Sequence, residues 1–194
     1  EMAILSAYRI AQVLILAVFA LFISDFRRRP NMIPLIDRRL TLLMKLSYPI
    51  PTAINFYVLF TMDRLHPLDF LSLALNALGA FLVVRAKRDL GTRHTCTGYG
   101  STQTQLVSDG IYAVMRHPLY AGIYLFIAGS LALAARHAAW YLFVLMAVTL
   151  GCIMVFLAVA TQREDRLLHA QFREMYQMYR ARLPMFLSIR PRTD

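Results

Sequence analysis

The residues able to do chemistry gather in two places. Residues 110–122 read Gly-Ile-Tyr-Ala-Val-Met-Arg-His-Pro-Leu-Tyr-Ala-Gly. Pro118 suits the first turn of a helix, where its missing N–H leaves nothing unsatisfied. His117 then falls at the cap, with its ring beside the free N–H groups of that turn. Helix starts favour anions through those groups and the helix dipole. Arg116 adds a cation, and Tyr112, Tyr120 and Tyr124 add aromatic faces. The second place is 162–183, where Leu168, Phe172, Met175/Tyr176, Tyr179 and Leu183 recur every three or four residues as one apolar stripe. Glu164 and Asp165 open that segment, a favourable position for acids near the dipole. One reading puts Glu164 in a polar pocket shared with His117. Arg, His and Tyr also recur where a span meets lipid headgroups, so the same residues fit an interfacial anchor followed by a helix with solvated charges.

Between the third and fourth apolar runs lies the longest polar stretch, 86–117. It contains TRHTCTGYGSTQTQ at 92–105, with neither helical nor strand periodicity. Two-helix connections usually take about 2 to 8 residues, and longer ones are commonly binding loops. Common enzyme signatures are absent: no dinucleotide GxGxxG, P-loop or HExxH, and no GxSxG elbow. His66, His94, His137 and His169 lack metal-ligand spacing, so no metal is expected. Asn55 and Asn76, within apolar runs, read as interhelical hydrogen-bond glue.

The elements that must position these residues are written in the composition. Of 194 residues, 58% are hydrophobic and only 16% charged, against about 25% in soluble chains; the mean hydropathy is +0.51. An all-α integral membrane protein of one domain follows. About 20 apolar residues span the hydrocarbon, and five segments qualify: 2–24, 40–62, 67–85, 118–135 and 138–161. A cytoplasmic amphipathic helix follows the fifth. The second segment carries Lys45, Pro49, Pro51 and Asn55, which predicts a kink or a partly interfacial helix. Seventeen of the 21 basic residues fall between spans one and two, between three and four, or after five; three fall on the other side, and Lys45 lies within span two. The positive-inside rule then puts the N-terminus outside, the C-terminus in the cytoplasm and any chemistry on the cytoplasmic face. Charge clustered in this way speaks for membrane topology and against nucleic acid. Cys96 and Cys152 read as free thiols.

The motifs carry a resemblance. DLG at 89–91, LVSDGIY at 106–112, RHPLYAG at 116–122, RED at 163–165 and then FREMYQMYRARLP resemble the integral-membrane methyltransferases that comprise isoprenylcysteine carboxyl methyltransferases and related phospholipid methyltransferases. The resemblance covers about 86–187, with 1–85 as N-terminal spans of the same membrane domain. It implies S-adenosylmethionine as cofactor, with Thr104, Gln105, Leu106, Val107, Tyr112, His117, Pro118, Leu119, Tyr120 and Glu164 at cofactor-contacting positions and Arg116 and Glu164 as the residues bearing on catalysis. The implied partners are the lipid bilayer and a hydrophobic or lipidated methyl acceptor; no oligomeric state follows. Asp165, about 100° round the helix from Glu164, is expected to lie off the site and to tolerate substitution.

Two positions depart from the family pattern. Four residues before the acid, the carboxyl methyltransferases carry an arginine linked to the substrate carboxylate, where this chain has Ala160; Arg93 and His94 stand where an aromatic residue often follows DLG. Ala160 leaves no fixed cation, which points to an acceptor other than a prenylcysteine carboxylate. Two other classes stay open at this point: a degenerate membrane scaffold of the same fold, and an NADPH-dependent reductase related to the much longer sterol reductases.

Overall fold

The computed structural model describes residues 2–23, 32–91, 99–101 and 106–186. Six helices dominate them: α1 (Met2–Ile23), α2 (Arg38–Ser47), α3 (Pro49–Thr61), α4 (Pro67–Leu90), α5 (Pro118–His137) and α6 (Trp140–Arg182). Two three-residue strands, β1 (Met32–Pro34) and β2 (Tyr99–Ser101), pair antiparallel with Ile33 opposite Gly100. The all-α membrane architecture is present: α1, α4, α5 and α6 are each long and apolar enough to cross a bilayer.

The expected span at 40–62 is where the chain departs from a plain bundle. It is broken at Tyr48–Pro49 into α2 and α3, as its prolines predict, because Pro49 has no N–H to donate into the ladder; Tyr48 itself keeps helical angles. The 13 residues of α3 cover about 20 Å, less than the roughly 30 Å of hydrocarbon. Asp37 caps α2, its carboxylate accepting from the Arg39 and Leu40 amides at 2.8 and 3.2 Å. Leu40, Leu42, Leu43 and Leu46 of α2 stay exposed, as in a helix lying in the interface.

Helix α5 is the most buried of the four long helices, because it carries the smallest residues. A Cβ on Gly122 would meet the Gly79 carbonyl oxygen at 2.6 Å, and one on Gly79 would meet that of Gly122 at 2.6 Å. Lipid tails are as apolar as leucine, so helices in a bilayer associate by close packing rather than by escape from water. Gly122→Leu is therefore expected to cost at least the 1–3 kcal/mol typical of overpacking. A drop in melting temperature in detergent checks this; an unchanged melting temperature would show that α4 and α5 can separate freely.

Polar side chains tie the end of the bundle where α4 begins and α5 ends. Asp69, 1% exposed, accepts from the His66 backbone N–H at 2.7 Å as the partner in a capping box, and both its oxygens lie 3.0 Å from His137 Nε2. Tyr8 donates to the Asp69 carbonyl at 3.1 Å, Gln12 donates to the Tyr8 hydroxyl at 2.9 Å, and Asn76 donates to the Gln12 carbonyl at 3.0 Å. Asn76 is thus the interhelical glue its sequence position suggested. The opposite end, toward which α1, α4 and α6 run, holds the small sheet, the 3-10 turn Gly110–Ala113 and the start of α5.

Helix α6 differs most from expectation. Its apolar run ends near Thr161, and polar and charged residues follow. The sequence predicts one straight amphipathic helix over 162–183; instead the chain reverses at Arg173, whose φ is 41° and ψ −116°. Tyr176 reaches back to Asp165, although eleven residues of straight helix would separate them by about 16 Å. The chain beyond the reversal then docks on the start of α5: the Arg116 and His117 amides donate to the Pro184 and Met185 carbonyls at 3.0 and 3.1 Å. Phe186 packs edge-on against Tyr124, ring centres 5.7 Å apart.

Candidate functional site

Three pieces of chain converge at this end of the bundle. The first is the 3-10 turn, held to α4 by Asp89, which accepts from the Ile111 amide at 2.8 Å and from Arg85 Nε at 3.1 Å. Gly110 has φ 59°, and a Cβ there would lie 2.3 Å from Asp89 Oδ2. The left-handed backbone and the carboxylate beneath it both demand glycine. DLG and DGIY, separate in sequence, are thus two halves of one clasp.

The second piece is the start of α5. Pro118 is the first helical residue and His117 the cap, as the spacing predicted. The imidazole makes no capping bond of its own. It is 4% exposed, and its Nε2 lies 2.8 Å from Asp165 Oδ1. Arg116 reaches the same carboxylate, Nη1 to Oδ2 2.9 Å and to Oδ1 3.1 Å, and the Tyr176 hydroxyl donates to Oδ1 as well.

The third piece is the turn of α6 that holds both acids. Asp165 is its hub, where the sequence reading placed a neutral control. That expectation is corrected by the C-terminal reversal: it adds Tyr176 to the face of α6 that receives His117 and Arg116. Burial alone would raise the Asp165 pKa. The hydrogen bonds from His117 and Tyr176 and the charges of His117 and Arg116 outweigh it and hold the carboxyl well below the usual range. The Arg116 side chain is only 9% exposed, and its Nε is buried with no hydrogen-bond partner.

Glu164, next to it, accepts from the Tyr120 hydroxyl at 2.9 Å. Burial raises its pKa and neighbouring Asp165 adds to this, against the lowering influence of His117 and Tyr120. Adjacent acids of one turn thereby carry opposite shifts: Asp165 is neutralised by partners, whereas Glu164 is a half-buried acid whose desolvation outweighs the influence of His117 and Tyr120. Tyr112, 8% exposed, has its hydroxyl pushed well above the ordinary range, first by burial and then by Glu164. The Tyr179 hydroxyl donates to the Tyr112 carbonyl at 2.7 Å, and burial pushes its pKa up to about 12. Both phenols stay protonated near neutrality and so keep a hydroxyl hydrogen to donate.

Of the expected site residues, Val107, Tyr112, Leu119 and Tyr120 belong to one buried apolar cluster. Pro118 is buried and Leu106 half-buried. His117, Arg116 and Glu164 meet within this site. Thr104 and Gln105 lie outside the described residues, as do Cys96, Arg93 and His94. Ala160 is fully buried one turn before Glu164, where the helical spacing put it. Asp165, Tyr176 and Tyr179 are additions that the sequence reading did not assign. The one signal for Tyr176 and Tyr179 was their place on the apolar stripe.

A cation and a buried imidazole beside one acid, with a second acid left under-compensated, form a closed polar site beneath an apolar bundle. No curated protein matches the sequence. The phospholipid methyltransferase family model matches residues 68–174, from the start of α4 through the α6 acids to just past the reversal. That span covers more than half of the chain and includes Asp89, Tyr112, Arg116, His117, Tyr120, Glu164 and Asp165, so the protein belongs to the phospholipid methyltransferase family.

Proposed function

We propose that this protein transfers a methyl group from S-adenosylmethionine to a lipidic or small hydrophobic acceptor at the cytoplasmic face of the membrane. The observations that carry the reading are a buried Arg116 Nε with no hydrogen-bond partner at the start of α5 and, on the turn of α6 whose Asp165 holds that arginine, Glu164 with its pKa raised by burial. S-adenosylmethionine carries a carboxylate, an ammonium and a sulfonium. The donor set fits it: Arg116 Nε for the carboxylate, Glu164 for the positive groups or ribose hydroxyls, and Tyr112 and Tyr120 for the adenine. His117, Pro118 and Leu119 form the helix start against which it rests, and Leu106 and Val107 add to the wall. The core for this chemistry is 86–187, with 1–85 as N-terminal spans of the same domain.

When bound, the cofactor supplies an already activated methyl group, so no metal or covalent enzyme intermediate is needed. The protein contributes alignment and exclusion of water. Asp165 fixes Arg116 and His117, the apolar cluster around Val107 and Leu119 keeps water out, and Glu164 holds positive charge where the reacting centre must lie. Without a cation at Ala160, an amine-bearing or neutral lipid or a thiol fits better than a prenylcysteine carboxylate.

Calorimetry in detergent against S-adenosylhomocysteine and NADPH tests the reading. Saturable binding of the first alone is expected, and His117→Ala should weaken it at least tenfold, since it removes the bond to Asp165, the carboxylate that also holds Arg116, and a charge-assisted hydrogen bond is worth about 1.5–3 kcal/mol. Binding of NADPH alone would mark a reductase, and binding of neither a scaffold. The orientation proposed is N-terminus outside and C-terminus cytoplasmic, from the split of basic residues. An impermeant thiol reagent should label a single cysteine introduced at position 1, not one at 194, in intact cells; labelling of both from one side would overturn it.

A further inference from the structure

A concavity lies apart from the polar site, between the long apolar helices. It has a volume of about 380 Å³ and is walled by α1, the α2–α3 break, α5 and α6, with Phe19, Phe126, Ile153 and Leu157 among its apolar lining. Lys45 and Tyr48 line it at the break, toward the end of the bundle that carries the polar site; Lys45 Nζ lies 5.8 Å from the ring centre of Tyr99 on β2. Ser130 and Asn55 are polar groups on its wall. Ser130 is 2% exposed and its hydroxyl has no hydrogen-bond partner. A buried hydroxyl left in that state is destabilising, a penalty a ligand can relieve.

We propose that this cavity binds one hydrocarbon chain of an amphiphile, its polar head at Lys45 and Tyr48 and an oxygen function on the chain at Ser130. Several observations lead there. Ligand cavities are mostly apolar with a few polar groups that fix orientation, and run from about 300 to 1,000 Å³; this one is near the lower bound, room for one chain rather than a pair. At its depth the surrounding medium is bilayer chains, and a chain enters without shedding water. The length is set by α5: from Ile123, beside the polar site, to Ser130 is about 10 Å of helix. Ser130 therefore acts as a gauge, reading both how far the chain reaches and whether it carries oxygen there. The cavity wall at Ile123 and Leu157 lies one to two turns of helix from Tyr120 and Glu164. On the methyltransferase reading above, on which this last step rests, the chain is that of the methyl acceptor, and acceptors are single-chain amphiphiles.

Photo-crosslinking tests the site without methylation. The probes are a diazirine-bearing fatty alcohol of about ten carbons and its analogue with a second, terminal hydroxyl, added to the full-length protein in nanodiscs. Crosslinks mapped by mass spectrometry should fall on Phe19, Ile123, Phe126 or Ser130, with the terminal-hydroxyl probe competing several-fold better, and Ser130→Ala should abolish that advantage. Ser130→Phe should remove the cavity crosslinks and leave those on bilayer-facing residues such as Leu14 and Val155. Crosslinks confined to bilayer-facing residues, or equal competition by the two probes in the parent protein, would overturn the proposal. S-adenosylhomocysteine affinity is measured in parallel. Its absence alongside cavity crosslinks would sink the methyltransferase reading and leave the chain site standing; the reverse outcome would do the opposite.

Discussion

Asp165→Ala is expected to lower stability by about 3–5 kcal/mol, the cost of removing one partner of a buried ion pair. The magnitude follows from what is left behind. Arg116, 9% exposed, would keep its charge with no carboxylate, and the imidazole of His117 and the hydroxyl of Tyr176 would each lose their acceptor. Tyr176 fastens the reversed arm of α6, so the loss should spread to the backbone bonds between Arg116, His117 and the chain at Pro184 and Met185. A melting temperature in detergent and proteolysis of the C-terminal arm read the two effects. Asp165→Asn keeps an acceptor oxygen and should fall between parent and Ala. The pH dependence has a fixed sign. A carboxyl with a depressed folded pKa contributes stability above its unfolded pKa, near 3.8, and loses it as pH falls toward the folded value. The parent should therefore lose part of its stability below about pH 4, and Asp165→Asn should lack that component. A fully stable Asp165→Ala protein would show that the hub is dispensable.

Much of this site was written locally, and what was not depended on distance along the chain. Pro118 and His117 could be read as first helical residue and cap because the rule involves adjacent residues. The break at Tyr48–Pro49 was legible for the same reason. The reversal at Arg173 was not. No glycine, proline or asparagine marks it, and the apolar stripe continues through it because both arms present apolar residues to the same site. With the reversal hidden, the wheel of a straight helix could rank Glu164 and Asp165 only by angle. It could not show that Tyr176 returns to Asp165. Asp69 and His137 are 68 residues apart, and their bond depends on the antiparallel register of α4 and α5. That register is fixed by Gly79 against Gly122, a contact that periodicity does not report.

Glu164→Gln is expected to abolish or strongly weaken cofactor binding while leaving the fold nearly intact, the reverse of the outcome at Asp165. The Tyr120 hydroxyl can still donate to the amide oxygen of glutamine, so the one hydrogen bond seen at Glu164 survives. What is lost is negative charge in a half-buried, desolvated place, and a charge-assisted hydrogen bond is worth about 1.5–3 kcal/mol, roughly tenfold to a hundredfold in affinity. The raised pKa adds a second signature. Burial favours the protonated acid above its ordinary 4.5, while a cationic ligand favours the carboxylate. Binding should therefore release a proton from Glu164 and strengthen as pH rises through its raised value. His117, Tyr120 and Asp165 face the same carboxyl, and Asp165 is already ionised throughout that range. Calorimetry in buffers of different ionisation enthalpy counts the proton, and the count should fall in Glu164→Gln, where the pH dependence of affinity should also flatten. If Glu164 were instead a helix-end acid facing solvent, the substitution would change stability by only about 0.3–1 kcal/mol and leave S-adenosylhomocysteine binding alone. Parent-like affinity in a folded Glu164→Gln protein would thus remove Glu164 from the cofactor site, and with it the main electrostatic reason for placing a sulfonium between α5 and α6.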